Sequence, residues 1–597
     1  MTFSGKKLSV STMAESVPNS PDYDNESGVS PTTEYMPRSA INLSPKKNLV
    51  ARIVDGFRPH PSYYQRDYSI RKGGNYDVEG ANNNLADTPL SRKLKGRHLQ
   101  MIAIGGSIGS GLFVGSGVAL ATGGPGALLV AYLLIGSMLY CTIHALGELS
   151  ITFPVAGSFA AYSSRFLDPA WGFAMGWNYV IAWLVTVPLE IIAATLALNY
   201  WGSTIPVVVW ITMFWVIIIG LNMFGVKGYG EGEFVFSIIK VVAVISFIIL
   251  GVVLNIGGGP GGAYLGGTFW HVPGAFANGF KGLCSVFANA AFSFSGAELV
   301  GMAAAETANP RKSLPSAIKQ VFWRITLFYI VSLTLVGVIV PYNDPRLYGN
   351  STVDARASPF VIAILNAGIE VLPDIMNVVI MISVLSVGNS AVFGASRTLV
   401  SLAQQGQAPK FFAFVDRKGR PLAGIALTAI FGLLSYAGIA SATVQSHIFT
   451  WLLAICALSV IFTWTSICAC HIRFRMAWRL HGHSIKELAF TSQAGLIGSY
   501  AGLVLNFLVL CTQLWISIFP LGSDPSVSTF FSTYLCVPVI LSCYLGYKLW
   551  FKTKWIKLED IDLATGRREL DLAALLADER EERASWPAWK RFYKLFC

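Results

Sequence analysis

The sequence predicts an all-α polytopic membrane protein of twelve transmembrane helices, and three observations carry that prediction. Apolar residues fill 53% of the 597 positions while charged residues fill only 13%, against about 25% in an average soluble domain. The apolar residues come in runs long enough to cross a bilayer, which takes about 20 residues per span. The basic residues gather on one side of those runs, as the positive-inside bias requires. The net charge of +11 follows from that bias, so it does not imply a nucleic acid partner.

Residues 1–95 are polar and rich in Ser, Pro, Asn and Asp, with no run long enough for a signal peptide or a span. They read as a disordered cytoplasmic tail. Ser20-Pro21, Ser30-Pro31 and Ser44-Pro45 are candidate phosphorylation sites, and Lys6, Lys7, Lys46 and Lys47 are accessible to modification. Ubiquitin-ligase or trafficking factors are the partners such a tail suits.

Residues 96–551 hold the twelve expected spans, at 101–122, 127–148, 171–200, 207–224, 234–254, 283–304, 321–341, 372–402, 421–440, 446–470, 496–519 and 530–551. With the N-terminal tail inside, the inside loops carry Arg165; Lys227; Arg311, Lys312, Lys319 and Arg324; Arg397, Lys410, Arg417, Lys418 and Arg420; and Arg473, Arg475, Arg479 and Lys486. The outside loops carry only Lys281, Arg346 and Arg356. This asymmetry puts both termini in the cytoplasm. The glycosylation sequon Asn350-Ser351-Thr352, with Asn350 as acceptor, falls in an outside loop and agrees.

Residues 552–597 form a cytoplasmic C-terminal tail. It is charged over 558–583, with a helix expected over 570–583, and it ends in a stretch where Trp586, Trp589, Phe592, Tyr593 and Phe596 alternate with Lys590, Arg591 and Lys594. Such a stretch suits the headgroup region of a bilayer. There Cys597 is a lipidation candidate, though as the last residue it cannot be a prenylation box. The other eight cysteines fall in apolar segments, so no external disulfide framework is expected.

Two stretches break their spans. Residues 105–111 (GGSIGSG) place four glycines in span one, and 292–298 (FSFSGAE) opens span six next to a carboxylate. Unwound backbone inside hydrocarbon is tolerated only where it is buried in protein or lines a polar cavity. If the breaks face each other, one offers N–H groups to an anion and the other offers negative charge to a cation, which are the two ends of an amino acid.

Intramembrane charges are costly and mark function by default. Glu148 ends span two, Glu190 lies in span three, Lys240 in span five and Glu298 in span six. Glu298 sits where its helix opens, which suits a proton-coupling carboxyl, and Lys240 can occupy the place of a coupling cation. For Glu148 the plain alternative is an interfacial carboxylate, for Glu190 and Lys240 a structural pairing with a neighbouring helix. Arg397 at the inner end of span eight is expected to snorkel to the surface.

The runs 98–106 (HLQMIAIGG), 109–112 (GSGL), 222–231 (NMFGVKGYGE) and 320–325 (QVFWRI) resemble fungal amino acid permeases. So do 385–390 (LSVGNS), 415–421 (VDRKGRP), 470–475 (CHIRFR), 560–562 (DID) and 565–569 (TGRRE), and the likeness extends from about residue 90 to the end. The resemblance is to the amino acid, polyamine and organocation superfamily. It implies proton-coupled amino acid import, without a cofactor or metal, at the plasma membrane. The implied fold is the LeuT-like five-plus-five inverted repeat with two extra C-terminal helices.

By the same resemblance, the N–H groups of Ser107, Gly109, Ser110 and Gly111 hold the substrate carboxylate. Carbonyls of Phe292, Ser293 and Ser295 hold its amine, with Glu298 beside them as the proton site, and Lys240 stands in for a sodium ion. Thr186 and Asn389 are carried over as pocket residues of spans three and eight. The aromatic gate falls on Phe294, or on Phe292 one register step away. Broad specificity is the expectation.

Two rival classes remain. An amino acid sensor with little or no transport could use the same fold and site. A membrane enzyme could use Cys468-Ala469-Cys470-His471, but that cluster ends an apolar span without a second ligand pair. His144 reads as a packed histidine, and residues 257–262 (GGGPGG) lack the Lys-Ser/Thr of a phosphate loop.

Overall fold

The computed structural model describes residues 55–65, 71–72, 75–260, 262, 264–348, 358–439, 442–567 and 586–587. The Ser-Pro sites and lysines of the first tail, Asn350, the helix expected over 570–583 and Cys597 lie outside the described residues.

Helices form in each of the twelve apolar runs. Among the described residues, nine helices are long and apolar enough to cross a membrane, and Val527–Tyr534 with Cys536–Phe551 make a tenth span bent by 66°. Val207–Met223 is the shorter apolar helix of span four. Spans one and two merge into one of the nine, Gly111–Thr152, which is broken where Gly124 takes φ 82° and Pro125 follows. The only strands among the described residues are Arg71–Lys72 and Asn75–Tyr76, which pair as a short ladder.

Span five, Gly225–Asn255, shows how sequence pattern orients a helix. Tyr229, Glu233, Ser237, Lys240, Val244, Phe247, Gly251 and Leu254 are buried at steps of three and four residues, on one face. Val235, Ile238, Val242, Ile245 and Ile249 are exposed on the other. That outward apolar face suits lipid, and the polar residues turn inward. Spans three and eight, Pro169–Leu198 and Leu372–Gln404, are buried almost throughout and pack against each other as the centre of the bundle.

Spans one and six are laced together at both ends. At one end Leu94 donates to the Glu306 carbonyl at 3.1 Å and accepts from Ala308 N–H at 3.1 Å. At the other, the turn after span one meets the segment before span six. Ala277 N–H reaches the Gly123 carbonyl at 2.7 Å, Gly126 N–H reaches the Ala275 carbonyl at 2.7 Å, and Asn278 Nδ2 reaches the Thr122 carbonyl at 2.9 Å.

The polar tail was expected to run unstructured to residue 95, and here the structure differs. The helix Val78–Ala86 is capped by Asp77. Tyr76 donates to the Gln405 carbonyl at 3.0 Å and Asn84 Nδ2 to the Gln404 carbonyl at 3.3 Å. The last carbonyls of a helix have no partner of their own, and the tail's Tyr and Asn supply donors to span eight. Farther back, His60 N–H bonds the Val415 carbonyl at 2.8 Å and Arg417 pairs with Asp55 at 2.7 Å.

The described part of the second tail packs on the same end. Asn82 Nδ2 donates to Asp562 at 3.0 Å, and Arg165 lies 3.8 Å from the same carboxylate while donating to the Thr565 carbonyl. Burial works against the charge of Asp562, but the N–H groups of Thr565 and Ala564 and the guanidinium of Arg165 outweigh it and hold the carboxyl below its ordinary range.

Candidate functional site

Span one opens between the helix Gly96–Gly105 and a π-helical turn, Gly111–Gly115, that leads into the rest of the span. Ser107 and Ser110 in the break are buried. Among the described residues, no acceptor takes the N–H of Ser107 or of Gly109. Two polar N–H groups buried at the start of a helical segment are an anion site in form.

The carbonyl end of Gly96–Gly105 is met by donors from two sides. Lys240 Nζ of span five lies 2.7 Å from the Gly105 carbonyl, Ser237 Oγ donates to the Met101 carbonyl at 3.0 Å, and Arg324 of span seven donates to the Ala103 carbonyl. Two cations at a helix C-terminus match the negative end of its dipole. Lys240 continues to Ser386 Oγ of span eight at 2.7 Å, so one ammonium ties spans one, five and eight together.

Span six opens after Phe294. Ser295 leaves the helix with ψ 146°, Gly296 takes φ 91°, and a short helix resumes at Leu299–Ala303. Glu298 is fully buried and folds back on this break. Its Oε1 accepts from Gly296 N–H at 3.2 Å and from the Tyr179 hydroxyl of span three at 3.3 Å. Its Oε2 accepts from Trp464 Nε1 of span ten at 3.4 Å. Among the described residues, no backbone N–H takes the Ser295 carbonyl.

The breaks are in backbone contact. A Cβ on Gly111 would lie 2.5 Å from Ser293 Cα, and one on Gly296 would lie 2.5 Å from the Gly106 carbonyl oxygen. Only glycine permits so close an approach at these two points, and positive φ at Gly296 adds a second reason. The side of break one nearest span three is closed by Glu190, whose Oε1 accepts from Ser110 Oγ at 2.8 Å.

Some residues carried over from the resemblance lie elsewhere. Asn389 is held by Asn222 of span four at 2.8 Å, and Ser383, Ser386 and Val387 are the span-eight residues that approach break one or its lysine. Thr186 donates to its own helix at Ala182, 2.7 Å away, and meets Cys456 of span ten. Phe294 packs against Tyr329 and Tyr132 of spans seven and two, with ring centroids 4.2 and 5.7 Å away. Phe292, the other residue expected for the gate, makes no ring contact among the described residues.

Glu148 also stands apart. Its partners are Arg475 at 2.5 Å, Ser492 N–H at 2.7 Å and His471 at 3.2 Å, none of them in a break, so it acts as a latch between spans two and ten. His471 is thereby committed, Cys468 faces Thr142 and Cys470 faces Ser163. The three residues of the cysteine-histidine run have separate partners.

The structure also buries charges that the sequence reading expected at the surface or passed over. Arg397 does not snorkel. It is buried beside Phe393 and pairs with buried Glu306 at 2.8 Å. Glu233 is fully buried and 3.7 Å from Lys240. The signal for Glu233 was present in the sequence, since Tyr229, Glu233, Ser237 and Lys240 share one helix face.

Comparison with known proteins completes the description. A family model described as amino acid permease matches residues 98–559. The general amino-acid permease GAP2 of Candida albicans is 55% identical, with 93% of this chain and 94% of that protein aligned. The general amino-acid permease GAP1 of Saccharomyces cerevisiae is 48% identical over 97% of this chain and 98% of its own length. The histidine permease of Saccharomyces cerevisiae is 47% identical over 88% and 89%.

Proposed function

The chain belongs to the amino acid permease family, and from that premise we propose that it is a proton-coupled symporter of broad specificity that imports amino acids across the plasma membrane. Both tails face the cytoplasm in this reading. The asymmetry of loop Lys and Arg supports that side, and the Asn82 to Asp562 bond supports the two tails sharing one side.

The observation that carries the proposal is the meeting of the two breaks at Gly106 and Gly296, with Glu298 hydrogen-bonded into the second. The substrate carboxylate binds the N–H groups of break one at Ser107, Gly109, Ser110 and Gly111. The ammonium binds the carbonyls of break two at Phe292, Ser293 and Ser295. Oriented dipoles of half-helices serve both ends. Glu298 and Glu190 are the proton-carrying carboxyls, because each touches one break directly. Lys240 supplies on a side chain the positive charge that a coupling metal ion would otherwise bring.

Broad specificity follows from recognition that spends its polar contacts on the amino acid backbone. The relatives named general amino-acid permeases support it, and the histidine permease at 47% identity marks a narrower alternative.

The test is uptake of radiolabelled neutral, basic and acidic amino acids and proline in cells lacking their own permeases. Concentrative uptake that an uncoupler abolishes and that needs no sodium is the expected result. Saturable binding without accumulation would instead identify a sensor, and a strict sodium requirement would overturn the role given to Lys240.

A further inference from the structure

Glu233 has a geometry that its place near one end of span five does not require. Its side chain is completely buried. Ser386 Oγ lies 2.8 Å from both of its carboxylate oxygens and 2.7 Å from Lys240 Nζ. A serine hydroxyl has one proton to donate and lone pairs to accept with. With an ammonium on one side and a carboxylate on the other, Ser386 accepts from Lys240 and donates to Glu233. The chain of donors then runs in one direction only, and it requires both charges.

The surroundings contribute little else that could hold the pair. From span five, Ser237 Oγ lies 3.4 Å from Glu233, and Tyr229 bonds Ser390 at 3.1 Å, which in turn lies 3.5 Å from Glu233. From span three, Glu190 accepts from Ser110 Oγ at 2.8 Å. From span one, the Gly105 carbonyl takes the ammonium directly. An ammonium buried with only a carbonyl and a hydroxyl would be poorly compensated, and a carboxylate close by offsets its desolvation.

We propose that Glu233 is a positioning residue for transport, acting through Lys240: by way of Ser386 it holds the ammonium charged and aimed at the Gly105 carbonyl, where spans one, five and eight meet. The inference rests on the reading of Lys240 as a built-in cation given above. It assigns a task to a carboxylate whose hydrogen bonds go to Ser237, Ser386 and Ser390, on spans five and eight, and to neither break. Glu233 shapes the rate at which spans one, five and eight rearrange, and leaves the substrate contacts untouched.

The experiment is substrate counterflow with the purified full-length protein in proteoliposomes, using whichever labelled amino acid the wild type carries fastest. Monodispersity by gel filtration establishes that each variant is folded. Glu233→Gln keeps the shape and one hydrogen-bond acceptor but removes the charge. It is expected to lower the maximal rate about tenfold while KM stays within about twofold, the pattern of a step outside ground-state binding. Lys240→Met is expected to be slow, and the double variant Lys240→Met with Glu233→Gln to be no slower than Lys240→Met alone, because the carboxylate acts only through the lysine. Glu233→Asp, which keeps the charge, should recover most of the rate.

A wild-type maximal rate in Glu233→Gln would overturn the proposal. So would a double variant whose loss is the product of the single losses, or a loss that appears in KM alone. If Glu233→Gln does not yield folded protein, the same comparison is made with Ser386→Ala, which cuts the link between the two charges, alone and in the Lys240→Met background. Additive losses there overturn the proposal, and non-additive ones support it. Absence of counterflow by wild-type protein with every amino acid tried would remove the transport reading itself, and this inference with it.

Discussion

Gly106 and Gly296 touch through their backbones, so that a Cβ added to Gly296 would sit 2.5 Å from the carbonyl oxygen of Gly106. The contact joins the unwound part of span one to the unwound part of span six, and it rests on two residues without side chains.

Gly296→Ala is therefore expected to abolish uptake. A methyl group there meets fixed backbone, and φ 91° disfavours any L side chain, at a strain of about 1–3 kcal/mol. Uptake should be absent at normal surface abundance, and the purified variant should melt at a lower temperature. Normal uptake would show that the breaks can separate without loss.

Glu298→Gln should end concentrative, uncoupler-sensitive uptake while leaving substrate exchange measurable. The amide still accepts from Tyr179, Trp464 or Gly296, the three donors to the carboxyl, but it cannot take and release a proton. Accumulation with unchanged pH dependence would reject the coupling role.

Arg397 and Glu306 make a buried ion pair, and removing one partner leaves the other uncompensated. Glu306→Gln should destabilise the protein by about 3–5 kcal/mol, whereas Arg397→Met combined with Glu306→Met should cost much less. Thermal unfolding of the detergent-purified variants reads this directly. A loss in the double variant equal to the sum of the Glu306→Met and Arg397→Met losses would mean the two charges act separately.

Asp562 gives a pH expectation. Its folded carboxyl titrates below the ordinary range, so its contribution is fully present above the unfolded value of about 3.9 and is lost as pH falls through the folded value. Hydrogen exchange over residues 556–567 should be constant from neutral pH to about 4 after correction for intrinsic rates, and should rise below it. Asp562→Asn should raise exchange already at neutral pH, by the equivalent of about 1 kcal/mol.

Much of this was legible in the sequence. The spans follow from apolar runs and the breaks from glycine content, because both are local properties. Glu190 and Glu298 stood out as lone carboxyls among apolar residues, and each meets a break. The register of a long-range contact is not local. Asn389 and Thr186 lie on spans that reach the site, but their side chains face spans four and ten. Phe294, expected as the gate, and Phe292, its alternative, lie two residues apart, and only Phe294 meets other rings among the described residues. Arg397 was expected at the surface and Glu306 and Glu233 drew no attention, for a shared reason. A charge near the end of an apolar run is usually solvated, and only packing reveals that these ends are covered. The ordered part of the first tail escaped notice because what holds it are carbonyls at the end of span eight, more than three hundred positions away.

The lacing of spans one and six has a mechanical consequence. Hydrogen bonds fix Leu94 to Glu306 and Ala308 at one end, and 122–126 to 275–278 at the other. Two rods pinned together at both ends cannot slide past each other, and any relative motion must bend them between the pins. The flexible points there are the unwound segments, so bending strain concentrates where the substrate is proposed to bind. A ligand that grips both segments thus acts on the hinge itself, with no lever needed to carry its effect elsewhere.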